Sequence, residues 1–162
     1  MIRFGLPFTL GVICLDQATK YWVQTLFGAE GITRHMDVTS FFMLVLAWNR
    51  GVSFSFLNGE GPWMAWVLTA LALAVSGVLV AWMARARNRW AALGMGLIAG
   101  GALGNAIDRI RFGAVTDFLY FHLGDWYFPA FNVADSAITV GAAVIMIESL
   151  VNQRVTAYKE GP

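Results

Sequence analysis

Two aspartates in the second half of the sequence, Asp117 and Asp135, have the residue type and the setting for acid–base chemistry. Asp135 lies about one turn into an apolar stretch, 132–151, that contains no lysine or arginine to neutralise its charge. Asp117 lies in the segment before that stretch, so a second carboxyl group is available at a matching depth. Two carboxyl groups held close together share one proton, so the ionised group can activate water while the protonated group donates to a carbonyl. Such a pair predicts an aspartic peptidase.

The same residues also fit other interpretations. Asp117 could equally be a loop residue or a helix cap, and Asp135 could belong to a proton pathway. In a small proton-coupled transporter or channel, Asp16 and Asp108 would form a relay with Asp135. Against this stands the absence of an inverted repeat or of paired broken helices in the sequence. A purely structural scaffold would leave the charge of Asp135 unexplained.

Other catalytic chemistries lack the residues that they need. Ser136 has no suitable base nearby, because Lys20 already has Asp16 as a partner. His35 and His122 each stand alone, outside the His-Glu-x-x-His pattern of zinc peptidases. We therefore expect no serine nucleophile, no metal site and no cofactor.

The composition places these residues in a membrane protein. Of the 162 residues, 58% are hydrophobic and 13% are charged, whereas soluble domains carry roughly 25% charged residues. Four apolar stretches, at about 4–27, 62–83, 90–109 and 132–151, are long enough to cross a bilayer. The net charge of +1 comes without a basic stripe, which argues against a nucleic-acid partner. The single cysteine, Cys14, has no disulfide partner.

Basic residues predict the orientation of these stretches. The short connection between the second and third stretches holds three arginines: Arg85, Arg87 and Arg89. The positive-inside rule places this connection in the cytoplasm. Both termini then also face the cytoplasm, while the connections 28–61 and 110–131 face outside. The predicted fold is an all-α polytopic membrane protein, a single membrane-embedded domain over 1–162 with four transmembrane helices.

The outer connections carry further patterns. Two segments rich in β-favouring residues, 41–48 and 52–56, are separated by Asn49-Arg50-Gly51, which favours two short strands joined by a turn. We therefore expect a small β element in the first extracytoplasmic connection. The second connection ends in an aromatic cluster at 126–131, which is typical of the headgroup level of a membrane.

Polar and glycine residues recur within the apolar stretches at helical spacing. Asp16 and Lys20 share one helix face, where they form either a structural ion pair or part of the active site. The third stretch holds two stripes: Gly96, Gly100, Gly104 and Asp108 on one, and Gly101, Asn105 and Arg109 on the next. A glycine stripe lets a second helix approach closely, either a neighbour in the protein or a helical substrate. The adjacent Asp108 and Arg109 are predicted to compensate each other's charge.

Five sequence blocks are distributed over most of the chain, between residue 16 and residue 141. They are Asp16-Gln17-x-x-Lys20, Asn49-Arg50-Gly51-Val52-Ser53-Phe54-Ser55, Gly100-Gly101-Ala102-Leu103-Gly104-Asn105-x-x-Asp108-Arg109, Val115-x-Asp117-Phe118 and Phe131-Asn132-Val133-Ala134-Asp135-Ser136. In this order they resemble the motifs of lipoprotein signal peptidases, the type II signal peptidases of bacteria. One block differs, because the family often reads Thr-Gly-Ala-Ala-Phe after the asparagine that corresponds to Asn49.

The resemblance implies an aspartic endopeptidase of the bacterial inner membrane whose active site faces the periplasm. Its substrate would be a diacylglyceryl-modified prolipoprotein, cut just before the lipidated cysteine, and globomycin-like peptides would inhibit it. The family's catalytic pair falls on Asp117 and Asp135. Its supporting or substrate-binding positions fall on Asp16, Lys20, Asn49, Gly104, Asn105, Asp108, Arg109, Asn132 and Ala134. We further expect the signal-peptide helix to lie against the glycine-rich third helix, with Phe54 and Trp126 near the lipid chains.

Overall fold

A computed structural model describes residues 1–28, 35–51, 63–86 and 88–159, with side chains up to residue 152. It contains four long helices: α1 (Ile2–Gly28), α2 (Trp63–Arg85), α3 (Arg89–Phe112) and α4 (Val133–Lys159). Helices thus account for nearly all described residues of the four predicted apolar stretches. Three of the described helices are long and apolar enough to cross a membrane, namely α2, α3 and the Val133–Asn152 part of α4. Helix α1 has 27 residues but carries charged groups along its length, and it is not among these three.

Helix α3 lies at the centre of the bundle, because α1, α2 and α4 all pack against it. Its glycines allow this close packing. A Cβ atom on Gly100 would lie 2.7 Å from the carbonyl oxygen of Thr9 in α1, and one on Gly101 would lie 2.3 Å from that of Ala134 in α4. The glycine stripes are therefore covered by helices of the protein itself. The expectation that a signal-peptide helix lies against these glycines is therefore wrong.

The strands form one antiparallel sheet in the order β1-β2-β3-β4. They are β1 (His35–Asp37), β2 (Phe42–Asn49), β3 (Val115–Leu123) and β4 (Trp126–Tyr127). The predicted β element in the first outer connection is confirmed by β2, whereas the segment 52–56, with Phe54, lies outside the described residues. Strand β2 pairs with β1 and, across the fold, with β3 from the second connection. Sequence patterns missed β3, because its first four residues are all buried and show no alternation.

A small apolar core attaches the sheet to the helices. Val23 and Phe27, near the end of α1, pack with Leu44 of β2 and Phe118 of β3. The sheet therefore lies at the end of the bundle where α1 and α3 finish and α4 begins, away from the connection between α2 and α3. This packing brings the start of β3 next to the start of α4.

Candidate active site

Asn132 links the two aspartates that the sequence pairs. It caps α4, because its side-chain oxygen accepts a hydrogen bond from the backbone N–H of Asp135 (2.9 Å) while its own backbone N–H donates to Asp135 Oδ2 (3.2 Å). Its amide nitrogen donates to Asp117 Oδ1 at 2.7 Å. Asn132 is fully buried. The structure thus brings Asp117 and Asp135 to one shared partner.

Asp117 lies in β3, so it is neither a loop residue nor a helix cap. Its side chain is buried, and the Asn49 side chain donates to Asp117 Oδ2 at 3.0 Å. Asn49 is itself held by the predicted turn, because its side-chain oxygen accepts from the N–H of Gly51, whose φ of 84° suits glycine. Burial raises the pKa of Asp117 to about 6, and repulsion by Asp135 adds to the rise, while the hydrogen bonds from Asn49 and Asn132 oppose it.

Asn105 of α3 connects the pair to a buried lysine. The Lys20 ammonium donates to Asn105 Oδ1 at 2.9 Å, and Asn105 Nδ2 donates to Asp135 Oδ1 at 2.8 Å. Because an ammonium can only donate, it must face the amide oxygen, so the amide nitrogen is directed at Asp135. The same oxygen accepts from Asn132 at 3.2 Å. Lys20 therefore determines which atom of Asn105 meets the carboxylate.

Lys20 lies at the centre of a buried charge cluster. It forms the predicted ion pair with Asp16 (2.8 Å) and a second one with Asp108 (3.1 Å). Asp16 Oδ1 accepts from the backbone N–H of Ala134 at 2.9 Å, and Asp108 Oδ2 accepts from that of Thr116 at 2.9 Å. Ala134 and Thr116 are the residues immediately before Asp135 and Asp117, respectively. The ion cluster thus holds the backbone on both sides of the candidate site.

Arg109 forms no salt bridge with Asp108, although the charges of the two side chains interact, so the predicted charge compensation is only partly confirmed. Neighbouring residues on an α-helix point about 100° apart, and Asp108 turns toward Lys20. The Arg109 guanidinium instead donates to the carbonyl oxygen of Asn105 at 3.4 Å and interacts electrostatically with both paired carboxylates. Its positive charge therefore acts on the candidate site itself.

The surroundings of the charge cluster and the paired aspartates also include Gly104 and three polar residues that were not among the predicted site residues. A Cβ atom on Gly104 would lie 2.6 Å from Asp16 Oδ2, so glycine makes room for that carboxylate. Gln17 donates to the Gly104 carbonyl oxygen at 3.2 Å, and Gln24 donates to Thr116 Oγ1 at 2.7 Å. The two glutamines stand out as polar residues in an apolar helix, which is a signal that the sequence offers. Thr116 carries no such signal beyond its position before the aspartate.

The residues considered for other chemistries lie in different surroundings. Ser136 donates its hydroxyl proton to the carbonyl oxygen of Asn132 at 2.9 Å. His35 is exposed on β1, and His122 stacks on Tyr127 with ring centroids 5.7 Å apart. Within the described parts of the chain, no group of three or more His, Cys, Asp or Glu is arranged to hold a metal ion.

The buried carboxyl group of Asp117 can take up or release a proton close to neutral pH, because its pKa is raised to about 6. A catalytic acid or base works best when its pKa lies near the pH of the reaction. The pKa of Asp117, about 6, is suited to a reaction near neutral pH. The amides of Asn49, Asn105 and Asn132 hold the carboxylate oxygens in place. The arrangement is therefore suited to hydrolysis by an activated water molecule.

Known proteins resemble this chain over most of its length. Residues 8–151 match the family model described as signal peptidase (SPase) II. The lipoprotein signal peptidase of Paraburkholderia phytofirmans is 47% identical over 147 residues, which cover 90% of this chain and 83% of that protein. The one of Rhodopseudomonas palustris is 43% identical over 157 residues, or 93% of each chain. A bacterial membrane enzyme solved by the in meso method at 2.3 Å shares 28% identity and a TM-score of 0.77, covering 92% of this chain and 88% of that one. By these matches, the chain belongs to the signal peptidase II family.

Proposed function

We propose that this protein is an aspartic endopeptidase that removes the signal peptide from prolipoproteins. The observation that carries the proposal is the single buried residue, Asn132, that hydrogen-bonds to both Asp117 and Asp135. The similar proteins named above are lipoprotein signal peptidases, which supports the same activity. The alternative of a proton-coupled transporter receives no support from these relatives.

The proposed mechanism uses the two carboxyl groups in turn. The ionised carboxylate takes a proton from water, whose oxygen attacks the scissile carbonyl carbon while the protonated carboxyl group donates to the carbonyl oxygen. When the tetrahedral intermediate breaks down, the protonated carboxyl group donates to the leaving amine while the other carboxylate takes a proton from a hydroxyl group of the intermediate, so the pair again holds one proton. The proton belongs to the pair as a whole, since coupled carboxyl groups titrate together. The Arg109 charge and the amides of Asn105 and Asn132 keep the carboxylates oriented.

The proposed topology has four membrane-spanning helices, with α1 as the fourth. A helix of 27 residues is about 40 Å long, which is enough to cross a bilayer. Its two charged residues within the span, Asp16 and Lys20, are buried and paired, while exposed positions such as Leu10 and Leu15 are apolar. The surface of α1 that would contact lipid is therefore apolar.

The same topology places the sheet and the paired aspartates on the periplasmic side of the inner membrane and both termini in the cytoplasm. Single cysteines at Arg85→Cys and Asp125→Cys, in a Cys14→Ser background, test this orientation. A membrane-impermeant maleimide added to cells with a permeabilised outer membrane should label the cysteine at position 125 and spare the one at position 85. The reverse pattern would contradict the orientation.

The proposed substrate carries a diacylglyceryl group on the cysteine that follows the cleaved bond. Support comes from two exposed aromatic side chains, Trp126 on the edge strand β4 and Phe128 directly after it, which lipid chains could contact. The test is to incubate purified protein with one prolipoprotein, with and without the diacylglyceryl group. We expect cleavage just before the cysteine of the modified form only, and inhibition by a globomycin-like peptide. Equal cleavage of both forms would contradict the lipid requirement, and cleavage of neither would contradict the function.

The pH dependence of cleavage should report the ionisation of Asp117. Asn49→Ala removes a hydrogen bond that favours the ionised carboxylate, so the pKa of Asp117 should rise further above 6. We expect the inflection in kcat/KM near pH 6 to move upward by about one unit or less, since Asn49 is exposed and water replaces part of the bond. This direction holds whether Asp117 acts as acid or as base.

The matched control for this measurement is the neighbouring Arg50→Gln. Arg50 is also exposed, and it forms no hydrogen bond with Asp117. Its pH profile should therefore resemble that of the wild type. An inflection in Asn49→Ala that stays in place or moves to lower pH would show that this hydrogen bond does not control the ionisation.

A further inference from the structure

A groove of about 460 Å³ lies at the end of the bundle opposite the paired aspartates. It is bounded by the first residues of α3 and by the last part of the candidate membrane span of α4. Its lining combines apolar side chains, among them Trp90, Val144 and Ile147, with the polar side chains of Asn88, Glu148 and Asn152. The groove is thus amphipathic and lies where both spans end, at the level of the lipid headgroups.

Glu148 is the charged residue of this lining. The side-chain amides of Asn88 and Asn152 both donate to Glu148 Oε1. Asn88 is fixed in turn as the cap of α3, because its side-chain oxygen accepts from the N–H of Ala91 at 2.9 Å. A carboxylate can accept about four hydrogen bonds, so Glu148 retains capacity for a further donor. Among the side chains that the structure describes, none forms an ion pair with Glu148.

A positive group lies beside one of the residues that line the groove. The Arg89 guanidinium lies over the ring of Trp90, 5.6 Å from its centroid, and Trp90 forms part of the groove wall. The guanidinium can bind a phosphate through several N–H groups. Glu148 in the lining therefore offers a site for a cation, and Arg89 beside the Trp90 wall offers a site for an anion.

We propose that this groove binds one aminophospholipid of the phosphatidylethanolamine class. The headgroup's primary ammonium would donate to Glu148, its phosphate would lie against Arg89, and an acyl chain would follow Trp90, Val144 and Ile147. This charge arrangement matches a zwitterionic headgroup better than an anionic one, because Glu148 would repel a headgroup that lacks the ammonium. The placement of this lipid in the cytoplasmic leaflet rests on the proposed orientation of the protein. Binding of the lipid to the groove does not depend on peptidase activity.

Native mass spectrometry of the full-length protein in detergent tests this proposal with three lipids of equal chain length. Phosphatidylethanolamine should bind about tenfold more tightly than phosphatidylcholine, whose methylated nitrogen donates no hydrogen bond, or phosphatidylglycerol, which has no cation. Glu148→Gln keeps the acceptor for Asn88 and removes the charge, so it should lower phosphatidylethanolamine affinity about tenfold. The control Asp125→Asn removes a carboxylate from the exposed turn between β3 and β4 and should bind like the wild type.

A second variant separates loss of the site from loss of the fold. Ile147→Trp should fill the groove and weaken phosphatidylethanolamine binding at an unchanged unfolding temperature. Equal affinity for the three lipids, or unchanged binding in Glu148→Gln, would overturn the proposal. A protein that binds the lipid selectively but cleaves no prolipoprotein would contradict the proposed function alone.

Discussion

Replacing either paired aspartate with asparagine is expected to reduce prolipoprotein cleavage by about 10²–10⁴-fold, the range for removing a general acid or base. Asparagine keeps the side-chain volume of Asp117 and Asp135 but can neither take up nor release a proton in this pH range. Because the two groups act on one proton, the double variant should be little worse than either single one. The measurement is kcat/KM for a diacylglyceryl-modified prolipoprotein with purified protein in detergent.

The control for the paired aspartates is Asp37→Asn, which removes an exposed carboxylate from β1 on the same sheet. It should cleave at the wild-type rate. Circular dichroism and thermal unfolding must first show that each variant is folded, because Asp117 accepts hydrogen bonds from both Asn49 and Asn132 and an amide cannot accept at both positions. A folded Asp117→Asn or Asp135→Asn variant with more than a tenth of wild-type activity would remove that residue from the chemistry.

Lys20→Met is expected to lower the free energy of unfolding by about 3–5 kcal/mol, the cost of breaking a buried ion pair by removing one partner. The lysine is buried between Asp16 and Asp108, so its loss leaves two buried carboxylates without a cation. The variant should also lose most of its activity, since both carboxylates hold backbone groups beside the paired aspartates. Reversible unfolding in mixed micelles measures the first effect, and the cleavage assay measures the second.

A compensating change distinguishes electrostatics from simple loss of packing. Adding Asp16→Asn to Lys20→Met removes one of the two unpaired charges, so part of the lost stability should return. Arg111→Gln is the surface control, because Arg111 is exposed and should change stability by no more than about 0.5 kcal/mol. A loss below about 1 kcal/mol in Lys20→Met, or no recovery in the double variant, would contradict the importance of this cluster.

The helices and the principal chemical groups could be predicted because the signals for both are local. Long apolar runs form helices in a membrane, where every backbone polar group must be satisfied within the segment. Charged side chains are rare in such runs, so Asp16, Lys20 and Asp135 stand out by their surroundings alone. The i, i+4 spacing then predicted the Asp16–Lys20 ion pair, which the structure confirms at 2.8 Å.

The sheet was only partly predictable, because strand pairing depends on distant parts of the chain. Strand β2 has β-favouring residues and a turn signal, but nothing local indicates that it pairs with β3, more than 60 residues later. Strand β3 begins with four buried residues, so it lacks the alternation that marks a strand with one exposed face. The position of Asp117 within it therefore emerged from the tertiary structure.

The sequence by itself determined the membrane class, the four helical stretches and the residue types available for acid–base chemistry. The tertiary structure decided the partners of those residues. Asp108 pairs with Lys20 rather than with its neighbour Arg109, because adjacent helix residues diverge and the lysine approaches from α1. Asn132 became the link between the two aspartates only when β3 and the start of α4 met at one end of the bundle. Side-chain type is a local property, whereas hydrogen-bond and ion-pair partners are set by which distant segments pack together.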